Sequence, residues 1–253
     1  CNPAVGGPGK SHLVYELDAL GGQMAINADA TAIQMRMLNM GKGPAVHSLR
    51  AQSDKVAYQR LMKETLENTD NLNVKQIMVN ELLIEDGEVK GILSELGEVY
   101  EAKAIILCTG TYLKGKIILG ELTYTGGPNG QRTAELLSDS LRKNGIELMR
   151  FKTGTPARVD KRSLTLDHMV EQPGDSKYRA FSFMSDWTDR NEQICWLTYT
   201  TEETHDIIRG NLNRAPMYTG IIEGTGPRYC PSIEDKVVVS VIKTGTITQG
   251  NLS

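Results

Sequence analysis

The 253-residue sequence is poor in cysteine, with four residues at positions 1, 108, 195 and 230. Their spacing excludes a CxxC redox or zinc pair, and their number excludes a disulfide scaffold. The four histidines, His12, His47, His168 and His205, show no metal-ligand spacing. No apolar run approaches the roughly 20 residues of a spanning helix and no signal peptide is visible, so the expectation is a reducing, cytoplasmic setting with no membrane. A formal net charge of −3 excludes a global pull toward nucleic acid and leaves only weak basic patches at 42–60 and 152–162. Neither a GxGxxG turn nor a Walker loop is present. The chain also lacks an initiator methionine and opens on a glycine-rich loop with no strand before it, which reads as a missing N-terminus.

What is present is globular. Apolar residues make up 40% and charged residues 23%, and the length suits one large domain or two ordinary ones. CNPAVGGPGK leads into SHLVYELDALGG, where Leu13, Val14, Leu17 and Leu20 predict a helix stopped at Gly21-Gly22. Met24, Met35, Met37 and Met40 read as adaptable core filling. Gly41, Gly43 and Pro44 form a tight loop between Lys42 and Arg50, suited to approach a flat or anionic ligand or to be a solvated turn. Ser53 is expected to cap a helix running to about Glu67, with Val56, Leu61 and Leu66 on its apolar side.

From Leu72 to Leu107 the period changes to two, predicting three or four strands with a hairpin at Asp86-Gly87 and a turn at Leu96-Gly97. Ala104–Leu107 reads as a strand buried on both faces of a parallel sheet, ending in Thr109-Gly110-Thr111 at the sheet edge where open α/β folds hold cofactors. Cys108 there is expected to be a packed core thiol. A helix follows with Ala134, Leu137 and Leu141 on one side and Gly145 as its stop. Further on, EQICWLTYTT alternates as a strand with a packed Cys195, and Thr201 caps a helix carrying a solvated His205. The tail after Lys236 is β-prone and low in charge.

The segment Gly226 to Lys236, GPRYCPSIEDK, has no regular period. Pro227 and Pro231 fix φ and remove two donors, so Cys230 lies on a stiffened loop. Arg228 is close enough in sequence to favour its thiolate. A surface turn with one free thiol and a positioned reactive thiol both remain open on these residues alone.

The strings CNPAVGGPGKSHLVYELDALGGQM, GKGPAVHSLRAQSDK, LKGKIILGE, RFKTGTPARVD, FSFM and RAPMYTGIIEGTGPRYCPSIEDK resemble the tRNA uridine carboxymethylaminomethyl modification family, MnmG or GidA, almost continuously from Cys1 to Lys236. The resemblance implies a glutathione-reductase-like α/β flavoprotein that binds FAD on a Rossmann sheet and takes electrons from NADH. It implies a partner GTPase, MnmE, a methylenetetrahydrofolate one-carbon donor, a homodimer, and the wobble uridine of tRNA as target. It carries the family's two chemical cysteines onto Cys1 and Cys230. Asn2, Gly6, Gly7, Gly43, Pro44, Val79, Thr109 and Gly110 fall on the FAD side; Gly226, Pro227, Arg228, Tyr229, Glu234 and Lys236 fall on the nicotinamide side. The family's serine near the flavin is Ala134 here.

The fold implied is a partial Rossmann-type FAD-binding domain with a β-meander and a smaller inserted α+β domain. Its parts are an incomplete FAD-binding domain over 1–152 with the meander at about 72–103, an NADH-side domain over 153–236, and an atypical tail over 237–253. The GxGxxG strand and the C-terminal helical domain of the family are absent from the sequence, and the likeness is read as ending after Lys236. The folate- and FAD-dependent tRNA uracil-5-methyltransferases share this fold and thiol logic, but RYCPSIEDK and GPAVHSLRAQ belong to the first family. A truncated remnant without activity is the non-enzyme alternative.

Overall fold

A computed structural model describes residues 3–155, 159–177, 180–186, 191–222, 232–239 and 247–250. In chain order the elements are β1 (Ala4–Gly6), α1 (Ser11–Ala19), α2 (Gln23–Thr31), β2 (Ala32–Leu38), β3 (Ser48–Ser53), α3 (Lys55–Glu67), β4 (Val79–Glu85), β5 (Glu88–Ser94) and β6 (Val99–Glu101). They continue with β7 (Lys116–Leu119), β8 (Leu122–Thr125), α4 (Leu136–Lys143), β9 (Val170–Gln172), β10 (Cys195–Tyr199), α5 (Glu202–Gly210), α6 (Ile233–Val239) and β11 (Ile247–Gly250). Two compact units result, one of residues 1–74, 155–200 and 245–253, the other of 75–154 and 201–244.

The first unit is built on the antiparallel sheet β1-β3-β2. The register pairs Met35 with Ala51 and Met37 with Leu49, so one face is apolar. That face packs with Val14, Ala25, Ala28, Ala32 and Phe181 into the core. The opposite face pairs Gln34 with Gln52 and Arg36 with Arg50, and is therefore polar. β2 lies at the edge of the sheet, and its outer backbone groups are taken up by residues far along the chain. Asp175 donates its N–H to Met35 O at 2.7 Å and accepts from Met37 N at 2.7 Å. Asn191 accepts from Met35 N at 2.8 Å, and Gln193 N donates to Ile33 O at 3.1 Å. A second antiparallel sheet, β9-β10-β11, completes the unit.

Rotation of α1 differs from the leucine pattern. Ser11, Val14 and Asp18 are buried, whereas Leu13, Leu17 and Leu20 are exposed, Leu20 by 86%. Hydrogen bonds decide this: Ser11 Oγ donates to Gly7 O at 2.9 Å, and Asp18 accepts from Phe183 N at 3.1 Å. The cap of α3 is Asp54 rather than Ser53. The Asp54 carboxylate accepts from Val56 N and Ala57 N at 2.8 and 2.9 Å, while Ser53 is the last residue of β3. Val56 lies on the exposed side of that helix.

In the second unit the meander β4-β5-β6 is present, with Asp86 (φ 50°) and Gly87 (φ 80°) both in the left-handed region that a two-residue hairpin turn of this kind requires. Leu137 and Leu141 of α4 pack on Leu82, and Ser140 Oγ accepts from Leu82 N at 3.0 Å. Gly145, φ 79°, ends the helix. α5 is capped by Thr201 with Thr204 completing a reciprocal pair of bonds, but its His205 is buried instead of solvated. Val237 and Val238 belong to α6, so the start of the tail is helical.

The expected strand Ala104–Leu107 does not form. Ile106 is 88% exposed, and Cys108 is exposed rather than packed. A parallel strand gains its ladder only from neighbours on both sides. Among the described residues every strand pairing is antiparallel, and the sole parallel contact is a single bridge between Leu113 and Ala134.

Candidate functional site

The glycine loop after β1 is shaped by close packing. Gly6 has φ 82°, and a Cβ there would stand 2.5 Å from Leu49 O and 2.5 Å from Phe181 Cζ. Phe181 fills this position and packs against Tyr15 at a ring separation of 5.5 Å. Gly7 N donates to Leu49 O, and Gly7 O accepts from Lys10 N and Ser11 N, so the loop turns directly into α1. Asp29 on α2 grips the Phe181 segment by accepting from Phe181 N at 2.7 Å and Ser182 N at 2.8 Å. Burial, and secondarily the charge of Asp29, push the Tyr15 phenol above its usual range. The FSFM string thus serves as a strap over α1 and α2, held by Asp18 and Asp29.

Gly43 and Pro44 occupy an exposed turn between β2 and β3, where His47 Nε2 bonds Lys42 O at 2.9 Å and Asn39 Nδ2 donates to Val46 O at 3.2 Å. Open space surrounds Gly43, since an added Cβ would meet nothing within 4 Å. Gly110 in the second unit is equally open, with φ 53°. Thr109 O accepts from Tyr112 N there. Val79 and Ala134 sit together against the Leu82-Leu137-Leu141 cluster.

Glu234 and Lys236 flank Asp235 on α6, and Asp235 is the hub of this region. Its carboxylate accepts from Ser232 N (2.9 Å), Ser232 Oγ (3.0 Å) and the Tyr218 hydroxyl (3.2 Å), and lies 3.7 Å from Lys152 Nζ. Burial opposes ionisation of this carboxyl, but the Ser232 bonds, the Lys152 cation and the Tyr218 hydroxyl outweigh it and hold the group below the usual carboxylate range. Burial and Asp235 push the Tyr218 phenol up.

Of the sequence-predicted site residues, Gly6, Gly7, Gly43 and Pro44 fall in the first unit, and Val79, Thr109, Gly110, Glu234 and Lys236 in the second. Cys1, Asn2, Gly226, Pro227, Arg228, Tyr229 and Cys230 lie outside the described residues. Asp18, Asp29, Lys152 and Asp235 are the residues sequence reasoning passed over. Their signal was a charged side chain set among apolar or turn residues, which acquires meaning only once its partner is known. Among the described residues no cluster of His, Cys, Asp or Glu could hold a metal ion, and no helix is long and apolar enough to cross a membrane.

These features define a mixed α/β chain, two units of small sheets, that matches part of a larger protein. The family described as Glucose inhibited division protein A matches residues 1–245, nine residues beyond Lys236, and the chain belongs to that family. It is 60% identical over 238 residues to the tRNA uridine 5-carboxymethylaminomethyl modification enzyme MnmG of Heliobacterium modesticaldum, covering 94% of this chain and 37% of that protein. The enzyme of the same name from Geobacillus kaustophilus is 57% identical, with 94% of this chain and 38% of the relative covered. Aquifex aeolicus GidA superposes with a TM-score of 0.87 at 45% identity, over 98% of this chain and 42% of the solved one. The chain therefore spans well under half the length of the relatives it matches.

Proposed function

We propose that the chain is part of an FAD- and NADH-dependent tRNA-modifying enzyme that adds the carboxymethylaminomethyl group at carbon 5 of the wobble uridine. The observation that carries this reading is the 60% identity over 238 residues to an enzyme of that name. Cys1 and Cys230 are its two chemical thiols. Addition of a thiolate to carbon 6 of uracil makes carbon 5 nucleophilic toward an electrophilic methylene; loss of the carbon 5 proton and departure of the thiol then restore the ring. The division of labour between the two cysteines stays open.

Gly43 in the first unit and Gly110 in the second are each open to close approach, unlike Gly6, whose space Phe181 fills. Asn2, Gly7, Gly43, Pro44, Val79, Thr109 and Gly110 are assigned to FAD, with Gly6 shaping the loop beside it. Gly226, Pro227, Arg228, Tyr229, Glu234 and Lys236 are assigned to NADH. When bound, FAD supplies the redox step between NADH and the methylene donated by methylenetetrahydrofolate. tRNA, the MnmE GTPase and a second copy of the enzyme are the partners of this reading, in the cytoplasm.

The test uses the chain alone and the chain joined to the flanking segments of its full-length relatives. A flavin absorbance spectrum that appears on joining, with tRNA modification abolished in Cys1→Ala and Cys230→Ala while flavin is retained, is the expected result. Modification that persists in either variant refutes the thiol assignment, and absence of flavin in both preparations refutes the flavoprotein reading.

A further inference from the structure

Two stretches of chain meet at the Asp235 carboxylate in the second unit, and the sequence between them carries Cys230. On one side Tyr218 closes a turn: its N–H donates to Ala215 O at 2.8 Å, and just beyond it Ile222 N donates to Pro216 O at 3.2 Å. The Tyr218 hydroxyl then donates to Asp235 Oδ1 at 3.2 Å. On the other side Ser232 leads into α6. Its N–H and hydroxyl donate to Asp235 Oδ2 at 2.9 and 3.0 Å, and Asp235 N donates back to Ser232 Oγ at 3.2 Å. Such a reciprocal pair fixes the angle at which the chain enters the helix. One carboxylate oxygen therefore holds the Tyr218 end and the other holds the Ser232 end, with Lys152 Nζ 3.7 Å from Oδ2 as the balancing charge. The phenol is held above its usual range and the carboxyl below, so donor and acceptor keep their roles throughout the neutral range. Residues 223–231, between the two ends, lie outside the described residues.

The start of α6 does not require the Tyr218 bond, since Ser232 and Asp235 already satisfy each other. What Tyr218 adds is closure of a loop, against the entropic cost of holding its ends together. A chain spans at most about 3.3–3.6 Å per residue, so the Cα of Cys230, two residues before Ser232, stays within about 7 Å of that anchor. Tying the far end as well restricts it further. A thiol that must meet one atom of its substrate gains rate from being held in place before the encounter. We propose that Asp235 is a positioning residue for the Cys230 thiol, clamping both ends of its loop through Tyr218 and Ser232. The inference rests on the thiol chemistry proposed above and deepens it. Asp235 acts through the chain and takes no part in the bond changes.

Two experiments test this. In the 253-residue chain, where no activity is needed, iodoacetamide should label Cys230 at least about threefold faster in Tyr218→Phe than in the parent, because a tether freed at one end opens more often. Labelling of the exposed Cys108, in the same unit, should not change. In the chain joined to the flanking segments of its full-length relatives, Tyr218→Phe should lower kcat for tRNA modification about five- to tenfold, with KM within about twofold and the flavin spectrum kept. Ser232→Ala should do the same. The double variant should fall no more than about twofold below the worse single one, since a loop open at one end loses little by opening at the other. Tyr218 is exposed and phenylalanine keeps its ring, so the melting temperature should stay close to that of the parent, separating lost positioning from lost folding. An unchanged Cys230 labelling rate overturns the clamp, as does a rise in KM alone or a kcat loss that multiplies in the double variant. If Cys230→Ala keeps modification, the thiol reading fails and the clamp with it. If Cys230→Ala abolishes modification while Tyr218→Phe and Ser232→Ala keep full kcat, the thiol reading stands and the clamp alone falls.

Discussion

Removing the Lys152 ammonium should loosen α6 measurably, but less than removing the Asp235 charge. The Lys152 side chain is 9% exposed and that of Asp235 25%, with 3.7 Å between Nζ and Oδ2. Breaking a fully buried pair costs about 3–5 kcal/mol, and an exposed pair is worth about 0–1 kcal/mol. Lys152→Met keeps the aliphatic stem and leaves Asp235 with its two Ser232 donors and the Tyr218 hydroxyl. The separation is also longer than the 2.7–2.9 Å of a charge-assisted hydrogen bond. The expected cost is therefore about 1–2 kcal/mol. Asp235→Asn instead strands a buried ammonium and weakens three accepted bonds, for about 2–4 kcal/mol. Amide hydrogen exchange of residues 233–239 reads this local opening directly, which a tryptophan signal cannot, because the described Trp196 lies in the other unit. The double variant should cost less than the sum of the two. Equal losses in Lys152→Met and Asp235→Asn, or no change in either, refute the reasoning.

The same hub gives α6 a pH dependence. A carboxyl depressed in the folded state contributes stability that is present above its unfolded pKa of about 3.9 and is lost as pH falls through the lower folded value, so exchange protection of α6 should fall below about pH 4 and Asp235→Asn should flatten that response. Gly6→Ala forces a Cβ into Leu49 O and Phe181 at positive φ and should cost about 3 kcal/mol, seen in urea melts followed by tryptophan fluorescence. Asp29→Ala orphans the N–H groups of Phe181 and Ser182 and should cost about 2–4 kcal/mol in the same melts. Asp54→Ala should cost about 1 kcal/mol, whereas Ser53→Ala, whose hydroxyl is buried without a partner, should be neutral; the opposite order returns the cap to Ser53.

What could be read from the sequence was what neighbours in sequence decide. The Asp86-Gly87 turn, the Leu137-Leu141 face of α4 and the Thr201 cap each depend on residues within one turn of one another. The face of α1 did not follow its leucines, because Asp18 bonds to Phe183, 165 residues away. α2 and β2 went unread: α2 buries Asn27, Asp29 and Thr31 alongside alanines, which blurs any apolar stripe. Ala104–Leu107 has the composition of an internal strand, but a ladder needs neighbours, and the described residues offer it none. At the site, the glycine turns were legible from composition, while the carboxylates that hold Phe181 and the Lys152-Asp235 pair were not. A charged residue announces its role only through a partner that the sequence does not place.

The edge of β2 carries a consequence for how the chain is made. Asp175 bonds Met37 across 138 residues. At a synthesis rate of about 5–20 residues per second, roughly 7–28 s pass between the emergence of β2 and that of the loop that covers it. During that interval a strand with bare N–H and C=O groups is open to any passing partner. Weakening Asp175 or Asn191 should therefore show first as lost yield of newly made protein and only later as a lower melting point, placing the vulnerable moment of this chain at its birth.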